Sequence, residues 1–270
     1  MADDLSDIAA HYSDDPERER NRLVRHQLEH DLTWRYLDQY LPPRGSILEV
    51  GAATGTYTLE LAKRGHNLTS VDLSATLLDE CRVRLADEGL QKQVRVAVAD
   101  ARDLSRITER GFDASLLMGP LYHLVEKEDR MAALRQVADR LRVDGIIFST
   151  FISRYGVMGD VMKVMPDWVE DQKEVQFLMA RGRRPDHYPR GGFRGYFATV
   201  PEIAPLHEAL GFETLILAGV EPAISADDEI YNRLEGEQRR LWLDLLYEIS
   251  TDESTIGASR HLLYIGRKGL

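Results

Sequence analysis

The sequence holds one cysteine, Cys81, in 270 residues. One cysteine excludes an internal disulfide and a zinc site built from cysteines. Long apolar runs are missing too, and nothing approaches the ~18 residues of a membrane span. The opening stretch MADDLSDIAAHYSDDPERERNR has no apolar core of the kind a signal peptide needs. The expectation is a soluble, cytoplasmic chain. Positive charge is scarce: 34 Lys and Arg stand against 45 Asp and Glu, for a net charge of -11. That balance disfavours coating nucleic acid or anionic membrane by bulk charge, though a local basic groove remains open. Repeats and low-complexity tracts are absent. What remains is an ordinary globular composition, 43% hydrophobic and 29% charged. Its length suits one large α/β domain carrying insertions.

The chain is polar to about Leu23. Then LVRHQLEHDLTWRYLDQYL sets Leu23, Leu28, Leu32, Tyr36 and Leu37 on one helical face, and Pro42 and Pro43 end that helix. Beyond them strands and helices alternate. SILEVGA, NLTSVDL, VRVAVAD, FDASLLMG and GIIFSTFI read as strands, and TYTLELAKRG, SATLLDECRVRLADEG and DRMAALRQVADRL as helices between them. Strands this apolar are buried on both faces, as in a parallel sheet flanked by helices. The alternation stops over about 153–198 and resumes with a helix near 202–210. The strand FETLILAGV, a helical stretch near 225–250 and the strand ASRHLLYIGRK follow. The expected organisation is one domain: a helical N-terminal lid (1–41), a core (42–152), a cap insertion (153–198) and the end of the sheet (199–270), with a helical insertion at 225–250.

ILEVGAATGTYTLELA joins a strand to a helix through Gly51, Ala52, Ala53 and Gly55. Such small residues let a ligand approach the backbone and the helix N-terminus. Glu49, Asp72 and Asp100 end three successive strands. That places them along one crevice, and an acid in the position of Asp72 can accept both hydroxyls of a ribose. A dinucleotide is disfavoured, because the G-x-G-x-x-G spacing counted from Gly51 meets Ala53 and Thr56. A nucleoside without pyrophosphate fits better.

LEVGAATG resembles motif I of the class I S-adenosylmethionine-dependent methyltransferases, with Glu49, Gly51 and Gly55 matching and Ala53 in place of the middle glycine. VDLS resembles the family's ribose-binding segment and VAVADARDL its adenine-binding segment. LRVDGIIFST resembles the L-x-P-G-G turn, with Val143 and Asp144 replacing proline and the first glycine. The resemblance implies a Rossmann-like, seven-stranded, mostly parallel sheet with helices on both faces. It implies S-adenosyl-L-methionine as cofactor, with Asp72 and Leu73 at the ribose and Asp100 and Ala101 at the adenine. Glu49, Gly51, Ala53, Gly55 and Met118 would surround the rest, with Tyr12 contributed by the lid.

GPLYHL follows the fourth strand, so Tyr122 and His123 are the candidate catalytic residues; packing against the cofactor is the competing reading. No metal is assigned. His26 and His30 share a helical spacing, but a surface or lid helix accounts for it. In the insertion, Met158, Met162 and Met165 recur at helical spacing, and Tyr155, Trp168 and Phe177 offer apolar walls. RGRRPDHYPRGGFRGYF concentrates arginine beside a single acid, Asp186. Arg190 and Arg194, with Tyr155, are therefore expected to bind a small, possibly anionic acceptor. The function expected is O- or N-methylation of a small molecule. The alternatives are a nicotinamide-dependent oxidoreductase or a protein that binds S-adenosylmethionine without chemistry. Nucleic acid and membrane are not expected partners, and the oligomeric state is left open.

Overall fold

A computed structural model describes residues 4–14, 16–185, 194–222 and 228–270. The N-terminal segment holds α1 (Ser6–Ser13), α2 (Pro16–Arg20), α3 (Arg22–Arg25) and α4 (Gln27–Tyr40). The alternating core follows: β1 (Ser46–Val50), α5 (Thr56–Lys63), β2 (Asn67–Asp72), α6 (Ala75–Asp87), β3 (Val94–Val98), β4 (Phe112–Leu117), α7 (Pro120–His123), α8 (Lys127–Ala138) and β5 (Leu141–Ser153). The insertion contributes α9 (Met158–Val164), a 3-10 turn (Pro166–Glu170) and α10 (Gln172–Arg181). The chain finishes with β6 (Phe197–Ala198), α11 (Val200–Glu208), β7 (Phe212–Gly219), α12 (Asp228–Asn232), α13 (Gly236–Ile249), α14 (Glu253–Ile256) and β8 (His261–Lys268).

The sheet runs β3-β2-β1-β4-β5-β8-β7, and the short β6 pairs with the end of β5. The pairs from β3 to β5 are parallel, whereas β8 is antiparallel to both its neighbours. Strand order reverses between β1 and β4. That opens a crevice at the carboxyl ends of the strands, where doubly wound sheets hold ligands. Because β8 is antiparallel, its first residue, His261, pairs with Ile152 at the end of β5. It therefore reaches the same carboxyl edge from the other direction.

Apolar layers cover both faces. Leu48, Val50, Leu117 and Phe151 belong to one core, and Ile47, Leu116, Phe148 and Leu263 to the other. The amphipathic stripe of the N-terminal segment is buried as its spacing predicts, but the helix is broken at His26, between α3 and α4. The imidazole of His26 accounts for the break. It is drawn to Asp228 at 2.8 Å and Glu221 at 3.3 Å, and the backbone there leaves the helical region (φ -110°, ψ 61°). Asp144, standing where the resemblance expects glycine, adopts φ +60°, a left-handed conformation that aspartate tolerates better than most residues. The methionines of the insertion pack locally: Met158 and Met165 lie against Trp168, Leu178 and Phe197, while Met162 faces solvent.

Candidate active site

The turn after β1 is built by unusual backbone. Gly51 lies at φ +89°, Ala53 at +47° and Gly55 at +82°. At Gly51 a Cβ would stand 2.6 Å from Cδ of Pro120 and 3.1 Å from the carbonyl of Met118, so only glycine fits between this turn and the one after β4. Gly55 serves a different purpose. Its Cβ would lie 2.5 Å from Sγ of Cys81, so it lets α6 approach and does not line the crevice.

Above this turn lies a cavity of about 1290 Å³, open mouth included. Glu49, Gly51, Ala53, Asp72, Leu73, Asp100, Ala101, Met118, Tyr12, Tyr122 and His123 all line it. Asp72 accepts hydrogen bonds from the backbone N–H of Ala53 (2.9 Å) and Ser74 (2.8 Å), and burial raises its pKa. Each carboxylate oxygen retains a second lone pair for a ligand hydroxyl. Glu49 is almost wholly buried and accepts from Thr58 and, at 3.2 Å, from Ser70. Burial outweighs those bonds and pushes its pKa up to about 7. Asp100 is clasped by Arg102, whose Nη2 stands 2.7 Å from Oδ2 and which also reaches Asp129 at 2.9 Å. The apolar patches around these acids, Leu73, Leu77, Ala99 and Ala101, suit the faces of a purine.

From the other side α1 forms a wall, with Leu5, Ile8 and Tyr12 on the cavity. The hydroxyl of Tyr12 bonds Nε2 of His123 at 2.8 Å, and Ser13 bonds Ser74 at 2.8 Å. Arg194 does not line the cavity. Its guanidinium donates to the carbonyl of Asp4 at 2.8 Å and pairs with Asp7 at 3.3 Å, so it ties the arginine segment to α1. Tyr155 is 58% exposed and also stands away from the cavity, because β5 ends before it and the chain turns outward into α9. Arg190 lies outside the described residues.

A further set of lining residues escaped the sequence reading: Arg22, Glu29, Thr33, Tyr57, Thr150 and His261. Arg22 forks onto Glu29 at 2.8 and 3.0 Å. His261 bonds Glu221 through Nδ1 at 2.6 Å and stands 3.8 Å from Glu29. Arg260 and His26 bridge Glu221 and Asp228 behind them. The sets His26–Glu221–Asp228 and Glu29–Glu221–His261 have metal-like proximity. Each carboxylate in them already holds a guanidinium, so Arg22 and Arg260 supply the positive charge a metal would bring. No sequence spacing announced these sets. Their members come from the break between α3 and α4, from α4, from just past β7, and from the starts of α12 and β8.

Comparison with known proteins points to the same fold. Residues 47–145 match the profile of the Methyltransferase domain family. The tRNA 5-carboxymethoxyuridine methyltransferase of Escherichia coli (strain K12) is 24% identical over 158 residues, 57% of this chain and 58% of that protein. A Ubiquinone biosynthesis O-methyltransferase of Xanthomonas axonopodis pv. citri is 29% identical over 44% of this chain and 48% of its own length. The chain thus spans about half the length of the curated relatives it matches. The Burkholderia thailandensis 1,6-didemethyltoxoflavin-N1-methyltransferase, solved with 1,6-didemethyltoxoflavin and S-adenosylhomocysteine, shares the fold. Its TM-score is 0.63 at 18% identity, covering 98% of this chain and 88% of that one. Residues 47–145 thus resemble a methyltransferase domain, and the fold is the Rossmann-like one shared with the methyltransferase structure above.

Proposed function

We propose that the protein transfers the methyl group of S-adenosylmethionine to oxygen or nitrogen of a small molecule. One observation carries the reading. A single cavity runs from the nucleoside-type cradle of Gly51, Asp72 and Ala101 to the polar group of Tyr122, His123, Arg22, Glu29 and His261. When bound, S-adenosylmethionine supplies an electrophilic methyl carbon. The protein's part is to hold acceptor and donor in line and exclude water. In this reading Asp72 holds the ribose, Asp100 and Ala101 bound the adenine, and Glu49 faces the methionine end. The wall made by α1 and the net charge of -11 favour a small acceptor over a polynucleotide. Because one relative is a tRNA methyltransferase, the assay with tritium-labelled donor should be run on RNA and on small-molecule extract separately.

Asp72→Ala should weaken donor binding at least ~10-fold, since hydrogen bonds to a charged acceptor are worth ~1.5–3 kcal/mol. Calorimetry with S-adenosylhomocysteine checks it, and unchanged affinity would remove the ribose assignment. Tighter binding of a nicotinamide dinucleotide would favour an oxidoreductase, and donor binding without label transfer to any fraction a non-catalytic protein.

The lid role belongs to α1. In the same N-terminal segment α4 buries Leu28, Leu32 and Leu37 completely and is part of the core, whereas α1 offers the cavity its apolar side and is held by Tyr12, Ser13 and Arg194. Arg194→Ala should speed amide exchange in α1 and raise the acceptor KM, with the global unfolding midpoint nearly unchanged, since an exposed ion pair is worth only ~0–1 kcal/mol. Unaltered exchange in α1 would mean that Arg194 does not hold it.

A further inference from the structure

We propose that His261, oriented by Glu221, takes the acceptor's proton during methyl transfer. The inference rests on the methyltransferase reading above and adds to it a residue that neither the motifs nor the superfamily match pointed to.

His261 opens the antiparallel β8 opposite Ile152, at the carboxyl edge of the sheet. Glu221 lies just past β7, at the same edge. The pair is made by tertiary structure, with Glu221 Oε2 2.6 Å from Nδ1 of His261. A histidine whose Nδ1 is held by a carboxylate has its ring fixed and presents Nε2 elsewhere. His261 lines the cavity and keeps 18% of its side chain exposed, and its ring lies edge-on to Tyr122 with centroids 6.2 Å apart. His123, the candidate read from sequence, has its Nε2 engaged by Tyr12 at 2.8 Å.

The charges around His261 are mixed. Glu29 on α4 and Glu221 after β7 face it, with Arg22 beyond Glu29 and Arg260, His26 and Asp228 beyond Glu221. Burial alone would lower its pKa, but the two carboxylates outweigh burial and raise it. The free base therefore accumulates only as pH rises through that raised value. A sulfonium in the cavity opposes the imidazolium, so loading the donor favours the neutral ring that can accept a proton.

The step balances. The acceptor's lone pair forms the bond to the methyl carbon, and the C–S electron pair returns to sulfur, leaving S-adenosylhomocysteine. The acceptor's proton passes to Nε2 of His261, and the imidazolium loses it to solvent after product leaves. Glu221 is the positioning residue: it holds the ring and stabilises the imidazolium.

The test needs no acceptor. The affinities of S-adenosylmethionine and S-adenosylhomocysteine are measured by calorimetry from pH 6 to 9 on wild type, His261→Gln and Glu221→Gln. The sulfonium distinguishes the ligands by one positive charge. In the wild type the preference for S-adenosylmethionine should grow with pH by ~10-fold, the factor equivalent to one pK unit of mutual repulsion. His261→Gln should abolish the part of that growth due to the imidazole. Glu221→Gln should keep it but move its midpoint to lower pH, which a merely structural role for Glu221 would not do. Wild type and His261→Gln with the same pH dependence would overturn the proposal. So would a midpoint untouched by Glu221→Gln. If neither ligand binds the wild type, the methyltransferase reading itself fails, which is a separate result.

Discussion

Glu29→Ala should destabilise the protein by ~1.5–3 kcal/mol, the usual worth of hydrogen bonds between charged groups. Glu29 is 4% exposed, and both its oxygens are taken by the fork of Arg22. Burial would raise the Glu29 pKa, but Arg22 and His261 outweigh it and hold the carboxyl below its ordinary range. Alanine takes the Glu29 carboxylate from the Arg22 guanidinium at the cavity wall, and it removes one of the two anions facing His261. The replacement Arg22→Met with Glu29→Leu should recover much of the loss, because the desolvation cost of both charges goes with them. Urea unfolding at pH 7 checks both. A loss under ~1 kcal/mol for Glu29→Ala would place this pair among surface salt bridges. Donor affinity should change little in the double variant, because Arg22 and Glu29 stand at the acceptor end of the cavity in the proposed reading.

The contrast between Glu29 and Glu49 shows what the sequence made legible. Glu49 stands two residues before a glycine turn at the end of an apolar strand. Local pattern alone places it at a sheet edge, and the same holds for Asp72 and Asp100. The parallel core follows from short apolar runs alternating with 3.6-residue periodicity, and β1 to β5 lie where those runs are. Glu29 sits in the middle of an amphipathic helix, where an acid reads as solvent-facing. Only the arrival of Arg22 and His261 from outside α4 makes it a buried cavity residue. His261 opens a strand whose apolar pattern conveys burial but not which edge its first residue reaches; the antiparallel direction of β8 decides that. His26 breaks a helix without proline or glycine, because acids from the end of β7 and from α12 attract its side chain. The arginine segment read as short of acids because neighbours in sequence were compared, yet Arg194 finds Asp7 in α1.

Glu49 carries the other large effect, and it has opposite signs for stability and for binding. Its pKa rises from 4.5 for an ordinary glutamate to about 7, because burial disfavours the anion more than the Thr58 and Ser70 hydroxyls support it. A raised folded-state pKa means that folding favours the protonated acid. That contribution is present in full below about pH 4.5 and is lost as pH rises through about 7, a decline of ~3 kcal/mol across the window for the ligand-free protein. Glu49→Gln cannot ionise, and its amide can still accept from the same hydroxyls. It should therefore flatten the fall in stability between pH 5 and 8 and unfold at higher urea than wild type at pH 8. Binding runs the other way. If Glu49 meets the ammonium of the donor's methionine end, only the carboxylate form is useful. Wild-type affinity for S-adenosylhomocysteine should then rise through pH 7, and Glu49→Gln should bind ~10-fold or more weakly at pH 8. Urea melts and calorimetry on the same two proteins separate the effects. A variant that keeps the wild-type pH slope of stability shows that Glu49 is not the buried titrating acid. One that gains stability yet binds as tightly as wild type shows that the acid is buried for packing and does not face the donor.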